Sequence, residues 1–86
     1  MYTIEYQKSV DKELRSLSIK IRKQVVIKIL ALAEDPRPKG ATKIRGSDSL
    51  FRIRHADYRI VYRIKDNTLV VLILKVGHRR EVYRDL

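Results

Sequence analysis

The chain has no cysteine among its 86 residues, which excludes disulfides and a thiolate zinc site and removes any argument for secretion. Long apolar runs are missing as well: the longest, Leu69 to Leu74, is far too short to cross a bilayer. The start, Met1-Tyr2-Thr3-Ile4-Glu5, lacks the basic residues and apolar stretch of a signal peptide, so a cytoplasmic location without a membrane partner is expected. There is no glycine-rich phosphate loop, no carboxylate pair at useful spacing and no Ser-His-Asp arrangement. His55 and His78 are too isolated to suggest a metal site, and no cofactor is expected.

Acidic residues are scarce. Ten Asp+Glu face twenty Lys+Arg, leaving a formal charge of +10, enough for a field that draws polyanions over a distance. Between Arg37 and Lys65 there are nine basic residues and two acids, while residues 1–36 are nearly balanced, with seven basic residues and five acids. A concentration of this kind points to a nucleic acid or an acidic protein as partner, against the plainer reading of a charged, solvated surface. With 44% apolar residues in 86, the chain can cover one modest core, so residues 1–86 are expected to form a single domain.

Tyr2 to Tyr6 alternates weakly, as a short strand does, and Ser9 is placed to cap a helix through Val10, Leu14 and Leu17. Ser18 is placed to cap a second helix, over Ile19 to about Ala33, with Ile21, Val25, Val26, Ile29, Leu30 and Leu32 inward and Arg22, Lys23 and Lys28 in water. Glu34-Asp35-Pro36 ends it. Arg37 to Ser49, with Pro38, Gly40 and Gly46, reads as a long loop.

Three strands follow. Phe51 and Ile53 face one way and Arg52 and Arg54 the other; next, Tyr58, Ile60, Tyr62 and Ile64 oppose Arg59, Val61, Arg63 and Lys65. A two-residue turn at Ala56-Asp57 puts Arg54 and Arg59 on one face and Phe51, Ile53, Ile60 and Tyr62 on the other, whereas an odd loop would scatter them. Asp66-Asn67 suits another two-residue turn, and Leu69 to Leu74 is apolar on both faces, as in a central strand. The expected fold is α+β: a four-stranded sheet of an N-terminal strand plus a three-stranded antiparallel meander, two helices on one face, and a basic second face. Residues from Arg80 to Leu86 are expected to add a short helix or turn over that basic face.

Three segments together resemble the RelE branch of the RelE/ParE toxin superfamily over nearly the whole chain: Leu50-Phe51-Arg52-Ile53-Arg54, Asp57-Tyr58-Arg59-Ile60-Val61-Tyr62, and Val76-Gly77-His78-Arg79-Arg80-Glu81-Val82-Tyr83. The resemblance implies the toxin of a type II toxin–antitoxin pair that enters the ribosomal A site and cleaves messenger RNA there. It also implies an acidic, RelB-like antitoxin as partner, with operator DNA bound only through that antitoxin.

RNA cleaves itself when a 2′-hydroxyl attacks the adjacent phosphorus; an enzyme must remove a proton, stabilise negative charge and protonate the leaving oxygen, for which no metal is required. By position in the family, Tyr83 would be the general base, Arg79 would face the leaving group, Arg59 would clamp the scissile phosphate, and Arg52 and Arg54 would support it. A tyrosine titrates near ~10, so neighbouring arginines must favour its phenolate. Some relatives carry lysines where this chain has Arg52 and Arg54, whose role is then electrostatic. His78 and His55 are the alternative proton acceptors, and Lys39, Lys43, Arg45, Arg63 and Arg80 are candidates for gripping RNA. Two rival functions stand beside this one: a ParE-like poison of DNA gyrase without nuclease chemistry, and a non-catalytic nucleic-acid-binding module.

Overall fold

The computed structural model describes residues 1–78, which run β1 (Thr3–Tyr6), α1 (Lys8–Arg15), α2 (Ile19–Ala31), β2 (Thr42–Lys43), β3 (Leu50–His55), β4 (Tyr58–Lys65) and β5 (Val70–His78). The strands form one sheet in the order β1-β5-β4-β3-β2. Neighbours are antiparallel except β1 and β5, where Thr3 lies beside Val70 and Tyr6 beside Ile73. The class is the expected α+β, but the sheet has five strands rather than four. Thr42 and Lys43, read as loop, pair with Arg52 and Phe51. An edge strand this short, exposed along its length, carries no alternation to betray it; it forms because β3 offers an open edge.

Both helices lie on one sheet face. Val10 and Leu17 from the first helical region and Val25, Ile29 and Leu32 from the second meet Phe51, Ile53, Ile60, Tyr62, Ile64, Val71, Ile73 and Val76 in a single core. Ser18 caps α2 as expected, its hydroxyl accepting from the Ile21 N–H at 3.3 Å. α1 departs from expectation: it begins at Lys8, Ser9 sits inside its first turn, and Gln7 is the N-cap without a side-chain bond. Its entry is set by pairing instead, because the Gln7 N–H donates to the Ile73 carbonyl at 2.9 Å. On α2, Leu30 is 54% exposed rather than inward. Arg22 is not left to water either; its Nη2 donates to the carbonyls of Arg15 and Leu17, both at 3.1 Å, which ties the end of α1 to α2. No helix among the described residues is long and apolar enough to cross a membrane.

The β3–β4 connection is the even, two-residue Ala56-Asp57 turn. Ala56 has φ +53°, the left-handed region that glycine enters more cheaply. The β4–β5 connection is longer than expected, spanning residues 66–69, with Leu69 at φ +54°. β5 also runs past Leu74 to His78, through a register break: Tyr62 lies opposite Ile73 but Val61 lies opposite Lys75. This bulge in β5 reverses the alternation, so that Val71, Ile73 and then Val76 all reach the helix-side core.

At the far end of the sheet, Asp66 holds three segments together. Tyr2 Oη donates to its carboxylate at 2.6 Å, and Arg37 Nη1 and Nη2 donate to both oxygens at 3.4 and 2.8 Å. The Arg37 guanidinium also lies 5.5 Å over the Phe51 ring. Hydrogen bonding from Arg37, and then from Tyr2, holds the Asp66 carboxyl below its ordinary value. A depressed carboxyl contributes stability above its unfolded pKa and loses it as pH falls through the folded one. Asp66→Asn is therefore expected to lower the melting temperature at pH 7 and to reduce the loss of stability below pH ~4. A melting series from pH 7 to 2 with a parallel, unchanged slope in the variant would count against this lock.

Candidate active site

Even spacing at the Ala56-Asp57 turn places Arg54 directly opposite Arg59 and Arg52 opposite Val61. On the other side of β4, Arg59 lies opposite Gly77, Val61 opposite Lys75 and Arg63 opposite Leu72. These rows are on the sheet face away from the helices: Val61, though 1% exposed, is absent from the helix-side core. Arg52, Arg54, Arg59 and Arg63 are thus brought to one face, as the alternation predicts.

Within this set the environments differ. Arg59 is 5% exposed and is the single charged side chain fully buried among the described residues. Arg54 is exposed, Arg52 and Arg63 are half-buried, and Arg63 Nη1 donates to Ser49 Oγ at 2.6 Å. Directly opposed residues in an antiparallel pair stand ~4.5–5.5 Å apart at Cβ, and like charges there repel. Arg54 and Arg59 are such an opposed pair, the first exposed and the second buried. Gly77 completes the row opposite Arg59 without a side chain of its own, and is itself buried.

The two histidines are on the opposite face. His55 Nε2 is 2.7 Å from Gln24 Oε1 on α2, and His78, opposite Tyr58 in register, meets that ring edge-on at 5.9 Å between centroids. The His55 contact ties the β3–β4 end of the sheet to α2, and neither ring shares the row of Arg59. Of the loop candidates, Lys39 and Arg45 are exposed, while Lys43 lies opposite Phe51 and 3.6 Å from the Asp48 carboxylate. Lys43 thus belongs to the row of the apolar face rather than to the arginine rows. Arg79, Arg80 and Tyr83 lie outside the described residues, as does the expected short helix or turn from Arg80 to Leu86. No cluster of three metal-ligating side chains occurs among the described residues.

Sequence reasoning missed Lys75 and the use of Gly77. The signal for both is the bulge, which is invisible in a run as uniformly apolar as Val70 to Leu74.

Residues 4–83 match the family model described as the ParE toxin of the type II toxin–antitoxin system parDE. The mRNA interferase toxin RelE of Escherichia coli K12 is 34% identical over 98% of this chain and 92% of its own length. The chain belongs to the RelE/ParE toxin family. The crystal structure of isolated E. coli RelE superposes with a TM-score of 0.81 at 31% identity, covering 99% of this chain and 94% of that one. The toxin of an archaeal RelE–RelB complex from Pyrococcus horikoshii gives 0.81 at 29% identity, over 91% and 94%. In this RelE/ParE chain the arginine rows thus sit on a scaffold shared over nearly its full length.

Proposed function

We propose that this protein is the toxin of a type II toxin–antitoxin pair and acts as an endoribonuclease that cleaves messenger RNA in the ribosomal A site. The observation that carries the reading is the buried Arg59, set between Arg54 and the side-chain-free Gly77. A guanidinium with little water around it acts on a phosphate far more strongly than an exposed one, because the effective dielectric is lower. Its planar fork matches two phosphate oxygens at once.

In this reading the scissile phosphate lies against Arg59, with Arg54 and Arg52 neutralising the charge that builds as the 2′-hydroxyl attacks. Tyr83 removes the hydroxyl proton and Arg79 faces the departing 5′-oxygen. Arg79 stabilises the charge on that oxygen, which takes its proton from water, and the products are a 2′,3′-cyclic phosphate and a 5′-hydroxyl. Arg45 and Lys39, exposed in the basic loop, bear on ribosomal RNA. In the resting state an acidic antitoxin covers the +10 chain. RelE-type relatives crystallised with RelB antitoxins support that partner, and operator DNA is reached through it.

The family model carries the ParE name, which keeps gyrase inhibition as the second reading. Two features favour the nuclease: 34% identity to an mRNA interferase, and the opposed arginine pair. A base-stacking module is disfavoured because Phe51, Tyr58 and Tyr62 belong to the apolar side. The deciding experiment is primer extension on messenger from an in vitro translation reaction, with and without ribosomes, using wild-type protein and Tyr83→Phe. A-site cuts that need ribosomes and fall by about a hundredfold or more in Tyr83→Phe are expected. Inhibited gyrase and intact messenger would establish the second reading instead.

A further inference from the structure

We propose that Glu13, on α1, is a positioning residue: it anchors the bulged end of β5 and so fixes the strand that sets Gly77 opposite Arg59. The inference rests on the nuclease reading above.

β5 has β1 as its outer neighbour only as far as Ile73. Beyond that point, among the described residues, it is paired with β4 alone, and this is also where its register breaks. A bulged strand with one neighbour frays readily. Val76, 2% exposed, nevertheless keeps its N–H satisfied, because Glu13 Oε1 accepts from it at 2.9 Å in the place a neighbouring strand would occupy. The second carboxylate oxygen, Oε2, lies 3.5 Å from Lys75 Nζ, with both side chains about three-quarters buried, at 23% and 22% exposure. One carboxylate therefore grips two successive residues, and the next residue is Gly77, opposite Arg59.

Glu13 stands in the last turn of α1 (Lys8–Arg15), where the helix dipole disfavours an anion. Its contacts to β5 offset that cost. Being on the helix side, it acts on the arginine rows through the strand and not by touching the substrate.

The test compares wild type, Glu13→Ala, Glu13→Gln and Tyr62→Phe, the last a control that weakens the fold by removing only the hydroxyl bond to the Pro36 carbonyl. Two quantities are read: single-turnover messenger cleavage on programmed ribosomes across toxin concentrations, and amide hydrogen exchange. In Glu13→Ala the saturated rate is expected to fall by about tenfold or more, as small misplacements of reacting groups do. Half-saturation should move less than about twofold, and Val76 should exchange at least about tenfold faster while Val71 does not. Glu13→Gln keeps an oxygen for the Val76 N–H, so its rate should stay within about threefold of wild type. Tyr62→Phe should cut at the wild-type rate. Should Glu13→Ala fail to fold, Glu13→Asp, one methylene short of Val76, is read in the same two ways. Unchanged Val76 exchange, or an unchanged saturated rate alongside faster exchange, overturns the proposal. A wild-type protein that cuts no messenger sinks the nuclease reading instead, and Val76 exchange still decides the anchoring.

Discussion

Replacing Arg59 with methionine is expected to lower messenger cleavage by about a hundredfold or more while leaving the fold intact. Methionine fills much of the buried volume without the charge, so the site loses its phosphate clamp and keeps its packing. The residue is 5% exposed and faces away from the helices, beside Val61 at 1%. A buried guanidinium is held by partners in the fold, and removing it alone leaves them unmatched, so Arg59→Met should melt below wild type and cleavage is read at a temperature where both proteins are folded. Arg59→Lys keeps the charge but not the fork, and an intermediate loss is expected. The measurement is single-turnover cleavage alongside thermal melts. Cleavage by Arg59→Met within about threefold of wild type would remove Arg59 from the mechanism.

The largest effect on stability is expected at Tyr62. Its side chain is fully buried between the helices and the sheet, its ring stacks on Phe51 at 6.0 Å between centroids, and its hydroxyl donates to the Pro36 carbonyl at 2.8 Å. Tyr62→Ala removes all three features and should cost roughly 3–5 kcal/mol, a large share of the stability of a small domain. Tyr62→Phe loses only the hydrogen bond, about 1 kcal/mol, seen as a drop of several degrees in melting temperature. A distinct signature comes at alkaline pH. Burial, with a smaller contribution from the nearby Asp35 carboxylate, pushes the Tyr62 phenol up to about 12. The unfolded chain ionises near ~10, so stability present below that pH is lost as pH rises toward the folded value. The phenylalanine variant has no such proton, so its stability should fall less steeply between pH ~10 and ~12. Denaturant midpoints across that window decide the matter: equal slopes in both proteins would show that other groups set the alkaline limit.

The face assignments were legible because they depend on local parity. Phe51-Arg52-Ile53-Arg54 and Arg59-Ile60-Val61-Tyr62 alternate cleanly, and the two-residue Ala56-Asp57 turn preserves that alternation across the hairpin. The Ser18 cap was legible for the same reason, since a cap is decided within four residues. Features set by distant partners were not. β2 exists because β3 has an open edge, α1 begins where Gln7 meets Ile73, and the break near Leu74 is decided by what β5 must place on both of its sides. Leu30 illustrates the limit of periodicity: on a helix whose apolar residues outnumber the places on its buried face, the pattern cannot say which of them turns outward. The row around Arg59 was therefore half visible. Arg54 and Arg59 came from alternation, whereas Gly77 entered it through the bulge.

The pairing of β1 with β5 also bears on when this protein comes into being. Thr3 finds its partner only in Val70, and the Gln7 N–H that starts α1 waits for Ile73. Nascent β1 can have no native neighbour until most of the chain has been made, and contacts so distant in sequence form late and slowly. The arginine row needs β5 too, since Gly77 is its third member. A chain so arranged can close its sheet only once β5 has been made, so its two ends must meet before either the helices or the arginine row are in place.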